Sequence, residues 1–202
     1  MIKTIIFDIG GVVTNTDFDE VYFKFAERVG LDRDFVKQYH KEKLDDLLLG
    51  NISLDQFWTD MKEGGASPDA DLKKIWIEVG MDNREVNDEL LGIIKELRKK
   101  YSVGVLTNVS EGRLLLDEKI DLWSHFDYVL SSCKEGVMKP DERFYKMALE
   151  KARVSPEEAV FIDDAKKNIE GAEDLGIHGI LYSYDDNSSL VESLKKFGVE
   201  ME

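Results

Sequence analysis

Several polar side chains stand directly after apolar, strand-like runs of the sequence. Asp8 ends the first run, Thr107-Asn108 ends a second and Asp163-Asp164 ends a third, while Lys139 lies between the second and the third. The carboxyl ends of parallel strands meet along one edge of a sheet, where α/β proteins bind their ligands. We therefore expect these side chains to share a small volume.

The charges predict what such a cluster can do. Asp8, Asp163 and Asp164 repel one another unless a cation lies between them. Oxygen ligands suit Mg²⁺, which proteins hold through one or two carboxylates together with substrate phosphate. Lys139 can neutralise the remaining negative charge, and the Thr107 hydroxyl with nearby backbone N–H groups can hold a phosphoryl oxygen. Asp8 is then placed to attack phosphorus, with the positive charges stabilising the transferring group.

The elements that must position these residues are those of an α/β fold. From residue 87 onward, apolar runs typical of buried parallel strands alternate with helical patterns, which predicts a Rossmann-like, doubly wound parallel sheet with helices on both faces. Gly10 and Gly11 follow the first strand, where they allow a sharp turn and a close approach of the backbone to a ligand. After the first strand, further strands are expected over residues 102–108, 126–131, 159–163 and 179–182.

Residues 15–85 have helical spacing and aromatic side chains but no convincing strand. Helices are predicted around residues 18–29, 35–39 and 44–48, after the capping box at Ser53, and from Ser67-Pro68 onward. This stretch is predicted to be a helical bundle inserted after the first strand. The chain then divides into a core domain of residues 1–14 with 86–202 and a bundle of residues 15–85.

The composition excludes several function classes. The 202 residues carry a net charge of −15, which argues against nucleic acid and anionic membranes as partners. No apolar run is long enough for a transmembrane helix, and the N-terminal run is too short for a signal peptide. Cys133 is the only cysteine, and the histidines form no metal-binding motif and are expected on surfaces or in turns. We expect a cytoplasmic protein; the sequence leaves its oligomeric state open.

Four segments together resemble the motifs of the haloacid dehalogenase (HAD) superfamily, in order: residues 7–13, 106–108, 139–141 and 161–168. The helical stretch resembles that superfamily's C1-type cap, of the branch that contains epoxide-hydrolase N-domains and sugar-1-phosphatases.

The resemblance implies a role for each matching residue. Asp8 would be the nucleophile and a Mg²⁺ ligand, and the backbone carbonyl of Gly10 would complete the metal site. Thr107, Asn108 and Gly11 would bind the phosphoryl group, and Lys139 would orient it and the nucleophile. Asp164 would ligate the metal directly, with Asp163 as a second ligand or an outer-shell group.

One position departs from the superfamily's pattern. Its phosphatases carry a general acid and base two residues after the nucleophile, where this chain has Gly10. Losing an acid–base catalyst costs roughly 10²–10⁴-fold in rate, so weakened or narrowed activity is expected. Good leaving groups, such as those of a sugar 1-phosphate or an acyl phosphate, would suffer least. Asp17 or Asp19 could substitute, although a helix cap and a first-turn acid are the favoured interpretations.

The resemblance implies a Mg²⁺-dependent phosphatase of a small phosphorylated metabolite, a sugar phosphate among the candidates, acting through an aspartyl-phosphate intermediate. Two alternatives stay open: a non-catalytic binding protein that lacks the acid/base, and a 2-haloacid dehalogenase. Retention of Asp8, Lys139 and the acidic pair counts against the first. The pair also disfavours the second, because a metal-free site gains nothing from additional carboxylates.

Overall fold

A five-stranded parallel sheet forms the centre of the molecule. The computed structural model describes residues 1–184 and 186–201. Its strands are β1 (Thr4–Phe7), β2 (Thr14–Thr16), β3 (Arg84–Val86), β4 (Ser102–Thr107), β5 (Tyr128–Ser131), β6 (Ala159–Asp163) and β7 (His178–Leu181). The large sheet has the order β5-β4-β1-β6-β7 with every neighbouring pair parallel. The predicted α/β fold class is confirmed, and β1 lies at the middle of the sheet.

Helices cover both faces of this sheet. The α-helices are α1 (Phe18–Val29), α2 (Arg33–Leu48), α3 (Leu54–Glu63), α4 (Leu72–Asp82), α5 (Asp88–Leu97), α6 (Glu111–Lys119), α7 (Ser132–Glu135), α8 (Glu142–Ala152), α9 (Lys166–Glu173) and α10 (Asn187–Lys196). Successive β1 residues point to opposite faces, because side chains alternate along a strand. Ile5 and Phe7 pack with apolar residues of α5 and α10, whereas Ile6 packs with those of α8 and α9.

The helices α1 to α4, which we call the helical insert (residues 18–82), enclose a separate aromatic cluster. Phe25, Phe57 and Trp76 are buried there. Leu116 of α6 joins the same cluster and so ties the insert to the sheet region. The domain boundaries at residues 14/15 and 85/86 stay a prediction.

Two helix predictions within the insert are wrong. Residues 35–39 and 44–48 belong to one helix, α2, because the polar residues between them interrupt the apolar pattern without breaking the backbone. The last helix does not open at Ser67-Pro68. It begins at Leu72, where the Asp71 side chain accepts a hydrogen bond from the backbone N–H of Lys74 and caps the first turn.

A short ribbon of two strands was also missed. β2 pairs antiparallel with β3, with Thr14 opposite Val86 and Thr16 opposite Arg84. These strands are the segments through which the chain enters and leaves the helical insert. Each strand has three residues, which is too few to show an alternating pattern, so neither was predictable from periodicity.

Near the C-terminus, the sequence predicts that residues 185–189 form a loop leading into a helix cap. Residue 185 lies outside the described residues, and Asp186 caps α10, which already begins at Asn187, so residues 187–189 are helical. No helix in residues 1–184 and 186–201 combines the length and the apolar composition needed to cross a membrane.

Candidate active site

The register of the sheet brings the acidic residues together. Phe7 pairs with Ile162, and the backbone N–H of Asp8 donates to the carbonyl of Ile162 at 2.9 Å. Asp8 and Asp163 therefore leave adjacent strands at the same level. Carboxylate oxygens of Asp8, Asp163 and Asp164 all lie within 4.8 Å of one another.

Lys139 is buried between two of these carboxylates. Its Nζ lies 2.7 Å from Oδ2 of Asp163 and 3.1 Å from Oδ1 of Asp8, and its side chain is 0% exposed. Asn108 positions the lysine, because its side-chain amide accepts from the Lys139 backbone N–H at 2.8 Å and donates to the Lys139 carbonyl at 2.9 Å. The loop before α8 thus fixes one cation inside an acidic cluster.

The two neighbouring aspartates differ in environment. Asp163 is fully buried, and its oxygens accept hydrogen bonds from Lys139 Nζ, Asn168 Nδ2 and the backbone N–H of Ala165. Asp164 is exposed to the cleft. Partial desolvation by the surrounding protein, together with the Asp163 charge, raises its pKa. Asp163 therefore has its hydrogen-bonding capacity used, whereas Asp164 is free to bind a ligand. The sequence did not single out Asn168.

Burial raises the pKa of Asp8 to about 6, although Lys139, the Ile9 N–H and the Thr107 hydroxyl each lower it. The backbone N–H of Ile9 donates to Oδ1 at 2.7 Å. A carboxylate that stays partly uncompensated beside two others is a site that gains from a cation.

The residues predicted to hold a phosphoryl group lie beside this cluster. Thr107 is buried at the end of β4, and Thr107, Asn108 and Gly11 all line a cleft of about 280 Å³ together with Asp8 and Asp164. Gly11 has a φ of 75°, and a Cβ there would overlap the Asp164 carboxylate. Both polar groups of the Asn108 side chain are used by Lys139, so its contribution to a ligand would come from the backbone.

The far wall of the cleft carries charged residues that sequence reasoning missed. Arg84 forms a buried ion pair with Asp117, with side chains 3% and 2% exposed. Burial raises the pKa of Asp117 to about 6 against the opposing effect of Arg84. Arg113, in the first turn of α6, completes this wall. A basic residue in the first turn opposes the helix dipole, which was a usable signal for Arg113.

The proposed substitutes for the missing acid take structural positions. Asp17 accepts a hydrogen bond from the Glu20 N–H at 3.0 Å and is the N-cap of α1, and Asp19 lies in its first turn. His40, expected on a surface or in a turn, is half-buried on α2 and packs its ring 4.2 Å from that of Tyr22. Burial and the Arg113 charge lower its pKa to about 4.

The fold and this cluster define an α/β protein with an acidic site at the carboxyl edge of a Rossmann-like sheet. The chain belongs to the haloacid dehalogenase-like hydrolase family, whose model matches residues 2–176. The resemblance noted from the motifs is confirmed.

Similar proteins come from bacteria and mammals. The chain is 26% identical to bifunctional epoxide hydrolase 2 of Sus scrofa over 99% of its own length and 40% of that protein's, so it spans about two fifths of this relative. It is 28% identical to the phosphorylated carbohydrates phosphatase of Thermotoga maritima, over 95% of this chain and 91% of that one.

A solved structure shows the same fold. A HAD family enzyme of Bacteroides thetaiotaomicron superposes with a TM-score of 0.80 at 23% identity, covering 94% of this chain and 98% of that one. That enzyme has also been crystallised with magnesium and inorganic phosphate.

Proposed function

We propose that this chain is a Mg²⁺-dependent phosphatase that acts on a small phosphorylated metabolite through a phosphorylated Asp8. The observation that carries the proposal is the convergence of Asp8, Asp163 and Asp164 within 4.8 Å, with Lys139 buried between the first two. The Thermotoga relative, named for phosphorylated carbohydrates, supports a sugar phosphate as one candidate substrate. A cytoplasmic location stays a prediction.

The donor set fits a hard divalent cation. Three carboxylates against one ammonium leave the cluster with excess negative charge, and oxygen ligands suit Mg²⁺. We assign direct ligation to Asp8, Asp164 and the Gly10 carbonyl. Asp163 takes the outer role, because Lys139 and Asn168 already occupy its oxygens. When bound, Mg²⁺ supplies positive charge that polarises the phosphoryl group.

The protein's own residues account for the covalent steps. A carboxylate oxygen of Asp8 attacks phosphorus, the bond from phosphorus to the leaving oxygen breaks, and the phosphoryl group is transferred to Asp8. Lys139 holds Asp8 in place and offsets the charge of the group in flight. Thr107 receives a phosphoryl oxygen. The Gly11 N–H already donates to the Thr14 carbonyl at 2.8 Å, so Gly11 would contribute room beside Asp164 and not a donor. Water then hydrolyses the acyl phosphate and restores the Asp8 carboxylate, its proton passing to the released phosphate.

Protonation of the leaving oxygen is the weak point of this mechanism. Gly10 supplies no carboxyl group, and Asp17 is engaged as a helix cap. We therefore expect preference for substrates whose leaving group departs without a proton or receives one from solvent. We also propose that residues 15–85, which contain the helical insert, form a cap over this cleft and select the substrate.

The test is phosphate release from a panel of sugar phosphates, phosphorylated acids, nucleotides and acyl phosphates, with Mg²⁺ and with EDTA. Metal-dependent turnover in the wild type that disappears in Asp8→Asn supports the proposal, provided that the variant keeps its fold by circular dichroism. No turnover of any panel member, with Mg²⁺ still binding, would favour a binding protein. Metal-independent release of halide from a 2-haloacid would instead identify a dehalogenase.

A further inference from the structure

Arg113 stands at the edge of the reaction centre. A Cβ built on Gly10, two residues after Asp8, would lie 3.3 Å from Nη2 of Arg113. Its guanidinium carbon lies 3.9 Å from the centroid of the Phe18 ring, the first residue of α1. An aromatic face from the helical insert thus holds a cation beside the nucleophile's loop, on the wall of the same cleft.

Arg113 makes no ion-pair contact with a carboxylate within the part of the chain that the structure describes. The acid on its wall, Asp117, is paired with Arg84 in an ion pair that is itself buried. Two guanidinium groups share this one carboxylate, and the charges of Asp117 and Asp8 act on Arg113 without an ion-pair contact. A partly buried charge gains from a counter-ion in direct contact, so an anion beside Arg113 would stabilise this wall.

A second observation points to a ligand at the same place. Among residues 1–184 and 186–201, the buried Thr16 hydroxyl and the buried Nε of Arg84 find no hydrogen-bond partner, and both residues line the cleft. Buried polar atoms nearly always have partners, so unsatisfied groups around a cleft indicate a molecule that fills it.

Resting on the phosphatase function proposed above, we propose that Arg113 binds a carboxylate of the substrate, which is therefore a phosphorylated hydroxy acid, sugar acids included. A guanidinium that has no carboxylate in contact can pair bidentately with a planar carboxylate of a ligand. Gly10 keeps the guanidinium open to the cleft, because a side chain there would stand against it. Arg113 is then a specificity-determining residue that binds the substrate carboxylate, a group that the phosphoryl site does not contact.

The test compares two substrates that differ by one carboxylate: 3-phosphoglycerate and glycerol 3-phosphate. The wild type with Mg²⁺ is expected to have the higher kcat/KM for the acid. Arg113→Met should lower kcat/KM for the acid by about 10–150-fold, the effect of one charge-assisted hydrogen bond, and change that for the neutral substrate by less than about threefold. Arg113→Lys keeps the charge but not the bidentate guanidinium, so its kcat/KM for the acid should lie between those of the wild type and Arg113→Met.

Two further variants sharpen the comparison. Arg28→Met removes an exposed cation that is paired with Glu78, and should leave the ratio of the two kcat/KM values unchanged. Gly10→Asp places a carboxylate against Arg113 and should lower that ratio, because the new side chain competes with the substrate's acid. A ratio that Gly10→Asp leaves unchanged counts against the proposal.

The outcomes separate this inference from the phosphatase function. Equal turnover of both substrates, or an equal loss of both in Arg113→Met, overturns the carboxylate site and leaves the phosphatase standing. If no phosphate ester is hydrolysed, the proposed phosphatase function is wrong, and the carboxylate site is then tested by measuring ligand binding by calorimetry. Tighter binding of 3-phosphoglycerate than of glycerol 3-phosphate that is lost in Arg113→Met supports it, and equal binding overturns it.

Discussion

Replacing Lys139 with Met tests how the acidic cluster is held together. The substitution keeps the length of a side chain that is 0% exposed but removes its charge. Asp8 and Asp163 then lose their shared cation and stay buried beside each other and near Asp164. We expect a large loss of stability in the absence of metal.

The magnitude follows from the two distances. At 2.7 and 3.1 Å, each attraction is about 5–6 kcal/mol with an effective dielectric constant near 20, before the cost of desolvating the ammonium is subtracted. Removing one partner of a buried ion pair costs about 3–5 kcal/mol in measured cases, because the other charge is left uncompensated. We expect that range for Lys139→Met.

The assay is urea denaturation in EDTA of the wild type, Lys139→Met, Asp163→Asn and the double variant. The double variant restores the net charge of the cluster, so it should be less destabilised than the sum of the two single changes by more than about 1 kcal/mol. A cost below about 1 kcal/mol for Lys139→Met, or strict additivity, would refute the view that the lysine neutralises this cluster.

Two other predictions concern metal binding and the insert. Burial raises the pKa of Asp8 to about 6, so Mg²⁺ must displace a proton from Asp8 below that pH. The Kd for Mg²⁺ from calorimetry should therefore rise about tenfold per pH unit below about pH 6 and be constant above it. In Asp8→Asn this pH dependence should disappear. Gly50 has a φ of 72°, and a Cβ there would collide with the Cys133 backbone, whereas Gly30 has a φ of 76° and open space around it. Gly50→Ala should therefore lower the free energy of unfolding, measured by urea denaturation, by about 1–3 kcal/mol more than Gly30→Ala. Equal losses in the two variants would contradict the collision.

Much of the fold and part of the site follow from local sequence. Asp8, Thr107 and Asp163 each close a buried apolar run, and the rule that parallel strands end along one edge brings them together without further information. Lys139 was predictable from its position between two such runs. The hydrophobic pattern also predicted the helical character of the insert, because its apolar residues recur at helical spacing over many turns.

The missed features depend on contacts between distant segments. Arg84 and Asp117 are 33 residues apart and meet only because the ribbon of β2 and β3 places one of them over α6. Neither residue has a local pattern that separates it from a surface charge. Arg113 did carry a weak signal, an unfavourable position in the first turn of its helix, but its place beside Gly10 depends on the tertiary fold.

The two walls of the cleft have opposite electrostatic needs, and this limits what can bind there. The strand ends hold more carboxylate than Lys139 can neutralise. The opposite wall has two cations for the one carboxylate of Asp117, and the Asp8 charge acts on Arg113 without touching it. The net charge of −15 repels anions at a distance, but screening at physiological ionic strength confines each surface charge to about 8 Å, so the local charges decide binding. A metal ion alone satisfies the first wall and an acid alone the second. Under our two proposals, a phosphorylated acid bound with Mg²⁺ satisfies both walls, so the proposed chemistry at Asp8 and the proposed carboxylate site at Arg113 agree on one substrate.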